Sequence, residues 1–161
     1  MPPPAANAGN GWFAGWFSAW IGTVAEALDT VRRMLAAFEA GDRETVRGLL
    51  AEDVVVEAPG GVRVVGREAA FAHSDAFLSA FDDVEIDTHL LAEQPPLVAE
   101  EYTLTARHTG TFTSTAGEPI PPTGNRVTLR IVEIYRVDNG LITENRLYFD
   151  ETRLLRQLRT G

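Results

Sequence analysis

Residues 127–149 read VTLRIVEIYRVDNGLITENRLYF. Val127, Leu129, Ile131, Glu133 and Tyr135 share one parity, the two-residue period of a strand with one face turned to a core. The run breaks at Asp138-Asn139-Gly140, and Asn-Gly accepts the positive φ angles that a tight two-strand turn demands. Strands at Val127 to Val137 and Leu141 to Phe149 therefore pair antiparallel. Glu133 alone on its face breaks the apolar pattern. A carboxylate among apolar neighbours is costly unless it finds a partner or keeps its proton, so Glu133 is expected to have one or the other. A pKa raised by burial suits a general base. The competing reading is a structural pair with an arginine, or exposure where the sheet flares. Asn145 shares a face with Leu147 and is a candidate to hold a developing oxyanion, or merely to hydrogen-bond a neighbour.

Working outward, alternation also marks strands near Val84 to Glu93 and Leu97 to Thr109. Glu101, Thr103, Thr105 and Arg107 share one strand face, a polar set that fits either a wet cavity wall or a solvated outer surface. Residues 117–124, GEPIPPTG, make a stiff loop lacking the lysine of a phosphate cradle. Asp150 is placed to cap a last helix, Glu151 to Arg159.

Further upstream the period becomes helical. Val24, Leu28, Val31, Leu35 and Phe38 give a helix over Thr23 to Ala40, stopped by Gly41. Asp42 caps a short helix through Leu50, then Val54 to Pro59 reads as a strand ended by a Pro-Gly-Gly turn and Val62 to Val65 as a second brief strand. Beyond Gly66 a helix reaches about Phe81, with Ala70, Phe71, Ser74, Phe77, Leu78 and Phe81 on its inner side. Met1 to Gly11 has the composition of a flexible arm. Trp12, Trp16 and Trp20 recur every four residues, so a helix there shows an aromatic stripe that packs on this domain or on a second subunit. The expected organisation is an arm with an aromatic helix over residues 1–22 and one domain over 23–161.

Helices first and long antiparallel strands afterwards imply an α+β domain in which a curved antiparallel sheet wraps around helices, a cone with a cavity for a small ligand. With 161 residues, 45% of them apolar, one core is affordable and two are not. A net charge of −9 argues against nucleic acid as partner. The chain has no cysteine, which removes thiolate chemistry. His73, His89 and His108 show no metal-ligand spacing, so no metal and no cofactor are expected. The uncharged stretch up to Ala25 lacks a basic start and is too short and Gly-interrupted to span a bilayer, so a cytoplasmic location follows by default. Apolar residues such as Val132 and Ile134 on the opposite parity predict a homodimer through the outer sheet face.

Ala106-Arg107-His108-Thr109-Gly110, Pro121-Pro122-Thr123-Gly124, Tyr135-Arg136-Val137-Asp138-Asn139-Gly140 and Arg146-Leu147-Tyr148-Phe149-Asp150 with Leu154 to Leu158 resemble the SnoaL-like polyketide cyclases of the nuclear transport factor 2-like superfamily (a cystatin-like α+β barrel). The resemblance covers roughly Ala25 to Leu158. It implies a hydrophobic, polyketide-like substrate in the cone and acid/base-catalysed ring closure or isomerisation. It also implies an aspartate where this chain has Leu147 and a histidine where it has Glu133. Limonene epoxide hydrolases, cousins on this fold, carry an Arg-x-Asp where Glu101 and Thr103 stand. Ketosteroid isomerases carry their base next to a proline, one position from Glu57 here; the competing reading of Glu57 is a surface carboxylate. The catalytic candidates are therefore Glu133, Glu57 and Asn145. Glu101, Thr103, Tyr135, Leu147, Phe77 and His108 are candidates to bind substrate. Two alternatives stand beside the cyclase or isomerase: a non-catalytic ligand-binding or dimerisation module, and a divergent epoxide hydrolase. A Glu133 buried with a donor nearby favours an enzyme; a Glu133 paired with arginine favours a module.

Overall fold

The computed structural model describes residues 26–159. The expected arm and the Trp12 to Ile21 stripe lie outside the described residues. Helix α1 (described over 26–39) ends at Gly41, whose φ of +68° is the left-handed stop that glycine tolerates best. The order continues α2 (Arg43–Gly48), β1 (Leu50–Ala58), a 3-10 turn (Pro59–Gly61), β2 (Val62–Val65), α3 (Arg67–Leu78) and β3 (Phe81–Gln94). It ends with β4 (Leu97–His108), the two-residue strands β5 (Phe112–Thr113) and β6 (Pro119–Ile120), β7 (Arg126–Asp138), β8 (Leu141–Tyr148) and α4 (Glu151–Arg159). Both aspartate caps form: Asp42 Oδ1 accepts from the Thr45 N–H at 3.1 Å and Asp150 Oδ1 from the Arg153 N–H at 2.9 Å.

Six strands form one curved mixed sheet in the order β2-β1-β8-β7-β4-β3. The β7–β8 hairpin turns on Asn139 (φ +52°) and Gly140 (φ +72°), as the Asn-Gly pair requires. One expectation needs correcting: β1 pairs with β8 in parallel, with Glu57 opposite Arg146, whereas the other ladders of the sheet are antiparallel. Parallel neighbours need a long crossover, and here everything from β2 to β7 supplies it. The helix expected to reach Phe81 stops at Leu78, because Phe81 already pairs with His108 as the first residue of β3. The loop over 117–124 contributes Pro119 and Ile120 to a small ribbon with Phe112 and Thr113.

The concave face carries two apolar clusters. One gathers Leu104, Ala106, Val127, Leu129 and Ile131 under Leu154 and Leu158 of α4, with Phe77 stacked at its edge. The other gathers Val54, Val56, Val98, Val137 and Ile142 under Ala27 and Val31 of α1. Leu129, Ile142, Leu154 and Leu158 are almost wholly buried, each contributing about 1.5–3 kcal/mol of transfer free energy. Register shifts in β3 between Asp82 and Glu85, and between Thr88 and Leu90, mark the bulges that bend this edge of the sheet. Among the described residues no helix is long and apolar enough to cross a membrane.

Candidate active site

Between the two apolar clusters the concave face turns polar. In the β4–β7 ladder Glu100 stands directly opposite Glu133, and Tyr135 and Tyr102 flank them opposite Val98 and Ile131. Directly opposed side chains have Cβ atoms about 4.5–5.5 Å apart, so the two carboxyl groups are neighbours. Glu100 is 1% exposed. Tyr102 Oη donates to Glu133 Oε1 at 2.6 Å, and Asn145 Nδ2, arriving from β8, donates to Glu133 Oε2 at 2.8 Å. Thr88 Oγ1 donates to Glu100 Oε1 at 3.0 Å and Tyr135 Oη to Glu100 Oε2 at 3.4 Å. Thr88 reaches Glu100 because the β3 bulge follows it: Thr88 faces Tyr102, and two strand positions on the partner then meet Leu90 and Leu91.

None of the ion pairs among the described residues includes either carboxylate. Burial therefore dominates at Glu100 and pushes its carboxyl up to about 7; the Thr88 hydrogen bond pulls the other way, and the charge of Glu133 adds to the rise. Burial, and next the Glu133 charge, likewise hold the Tyr102 and Tyr135 phenols above their ordinary range, so both remain hydroxyl donors. The cluster is thus a pair of carboxyl groups, Glu100 buried and retaining a proton near neutrality and Glu133 half-buried and held by two neutral donors. Such a pair can take a proton and return one.

The expected site residues divide between this cluster and other places. Glu133, Asn145 and Tyr135 belong to it. Leu147 faces Glu133 directly across the β7–β8 ladder, an apolar wall beside the carboxylate. Glu101 and Thr103 do not converge on the cluster: they lie on the outer face, where Glu101 Oε1 accepts from Arg130 Nε at 2.7 Å and Thr103 Oγ1 meets His89 Nε2 at 2.7 Å. Glu57 is an exposed carboxylate beside Arg63, in a groove of about 470 Å³ at the rim where β1 and β8 end. His108 is fully buried, its Nδ1 accepting from the Thr123 N–H at 3.2 Å and its ring tilted on Phe81; burial lowers its pKa. It packs the wall beneath α4. Phe77 is an aromatic packing residue against Phe81, Phe112 and Phe149.

Glu100, Tyr102 and Thr88 were not singled out from the sequence. A signal for the first two existed: Val98, Leu104 and Ala106 set the buried parity of β4, and Glu100 and Tyr102 share it. Thr88 had none, since a bulge decides its placement.

The family model of SnoaL-like polyketide cyclases matches residues 28–158. Among solved structures, a Jannaschia protein assigned to the SnoaL-like polyketide cyclases superposes with a TM-score of 0.77 at 19% identity, covering 86% of this chain and 95% of that one. A polyketide cyclase assignment from Silicibacter gives 0.70 at 26% identity, with 84% and 97% covered. An LEH-like epoxide hydrolase from Mycobacterium tuberculosis gives 0.63 at 25% identity, with 84% and 93% covered. No curated protein matches significantly.

Proposed function

Since the chain belongs to the SnoaL-like polyketide cyclase family, matched over residues 28–158, we propose that it is an acid/base catalyst of ring closure or isomerisation on a small hydrophobic, polyketide-like molecule held against the concave face. The observation that carries this reading is Glu133, set in the wall with two neutral donors and, among the described residues, no arginine paired to it. Paired with a guanidinium it would be a structural ion; held by a phenol and an amide it has no charged partner to commit it to that role.

In the proposed step the Glu133 carboxylate takes a proton from an activated C–H of the substrate, and the electron pair moves onto the adjacent carbonyl oxygen. Asn145 has a second amide hydrogen, which serves the developing oxyanion. The proton returns from Glu133 at the new position for isomerisation. In ring closure the enolate carbon instead attacks an electrophilic carbonyl, whose oxygen takes the proton. Tyr102 and Tyr135 orient the carboxyl groups. Epoxide hydrolysis is the second reading, favoured by the likeness to an LEH-like epoxide hydrolase at 25% identity: Glu133 would take a proton from the attacking water and return it to the oxygen of the opened ring. Assays with an enolisable polyketide ester and with limonene oxide separate the two.

Glu133→Gln keeps the shape and loses the ionisable group, so turnover is expected to fall by about 10²-fold or more with the fold intact. Undiminished turnover overturns the assignment. We further propose that two copies pair through the outer sheet face around Val132 and Ile134. Light scattering at micromolar concentration checks it, and a monomer near 17.6 kDa would refute it.

A further inference from the structure

The rim groove has chemistry that the acid/base step does not use. Register aligns Arg63 of β2, Glu57 of β1 and Arg146 of β8 in one row on the outer side of the sheet. Arg63 Nε lies 3.7 Å from Glu57 Oε1 and answers that carboxylate. Arg146 enters no ion pair among the described residues, and its Nε is buried with no acceptor in reach. Two guanidinium groups against one carboxylate leave one positive charge uncompensated, in a chain whose net charge is −9. A buried guanidinium N–H without an acceptor is unfavourable, and a carboxylate in the groove would relieve it through the paired N–H geometry that arginine offers.

The rest of the groove lining is apolar. Leu147 and Phe149 line it from the concave side and Tyr148, 54% exposed in the single chain and opposite Val132 of the proposed dimer face, from the outer side. Leu147 is the residue opposite Glu133. The turn Pro59–Gly61 also lines the groove, and it is closely packed: a Cβ on Gly60 would lie 2.6 Å from the Thr115 side chain.

We infer that this groove binds the carboxylate end of an amphipathic small molecule, with Arg146 taking the anion and Leu147, Tyr148 and Phe149 taking its apolar body. Identifying that molecule as the substrate, anchored at the rim with its reactive carbon toward Glu133, rests on the proposed acid/base reading; the binding site itself does not. The test is calorimetric titration of the full chain with 2-naphthoate and with its uncharged counterpart, 2-naphthamide. Naphthoate is expected to bind about tenfold tighter or more. Arg146→Gln should erase that preference, and Glu57→Gln, which frees Arg63, should strengthen it. Glu133→Gln should leave it unchanged, which separates the groove from the catalytic proposal. Equal affinities for the two probes, or a preference surviving Arg146→Gln, would overturn the inference. So would an Arg146→Gln protein that changes from dimer to monomer while its naphthoate affinity stands, because the arginine's acceptor would then belong to a second copy. If Arg146→Gln fails to fold by circular dichroism, the Glu57→Gln arm decides: tighter naphthoate binding upholds the site and no change refutes it.

Discussion

Glu100 and Glu101 are consecutive residues of β4 and occupy different media. Glu101 points outward, 2.7 Å from Arg130, and the hydrogen bond from that guanidinium lowers its pKa. Glu100 points inward, meets only hydroxyls and a second carboxyl group, and keeps its proton to about pH 7. The same contrast runs across the sheet: the outer face pairs Glu85 with Arg126, Glu57 with Arg63 and Glu144 with Arg136, while the concave face holds Glu100 and Glu133 with no ion-pair partner among the described residues. Water screens the outer pairs, so each adds little to stability. Glu100 is buried away from that screening, which makes its charge costly for folding and its proton available for transfer.

The largest test of this contrast is Glu100→Gln. The folded-state pKa of Glu100 lies above its ordinary value of 4.5. The unfolded chain therefore ionises first as pH rises, and folding stability is lost progressively between about pH 4.5 and about pH 7, by up to roughly 3 kcal/mol. Glu100→Gln removes that loss, so urea midpoints at pH 5 and pH 8 should converge relative to the parent. A variant with the parent's pH slope shows that Glu100 is not the group responsible. Tyr102→Phe comes next. It deprives Glu133 Oε1 of its donor at a cost of about 1–3 kcal/mol, read by the same urea titration. A midpoint equal to the parent's would mean that water replaces the phenol and the wall is wet. Glu101→Gln should have the smallest effect, leaving the unfolding midpoint within error and turnover untouched. A loss of activity there would put the working carboxylate on the outer face and reverse the comparison.

Much of the fold was legible in local chemistry. The Asn-Gly turn, the Asp42 and Asp150 caps and the Gly41 stop each depend on a residue's own conformational preferences and hydrogen-bonding reach, which neighbours a few positions away complete. Glu133 was legible because its strand phase is unambiguous. On β4 the adjacent glutamates invited a choice, and resemblance to an Arg-x-Asp pattern drew attention to Glu101. The apolar phase of Val98, Leu104 and Ala106 pointed instead to Glu100.

The sequence by itself determined the α+β class, the long hairpin, the family and one of the two inner carboxylates, because periodicity and capping are properties of short stretches. Tertiary structure alone decided that β1 runs parallel to β8, that a bulge brings Thr88 to Glu100, that the two carboxyl groups face each other, and that Arg146 Nε is left without an acceptor among the described residues. Those facts depend on register between strands far apart in the chain, where one residue's shift exchanges the two faces of the sheet.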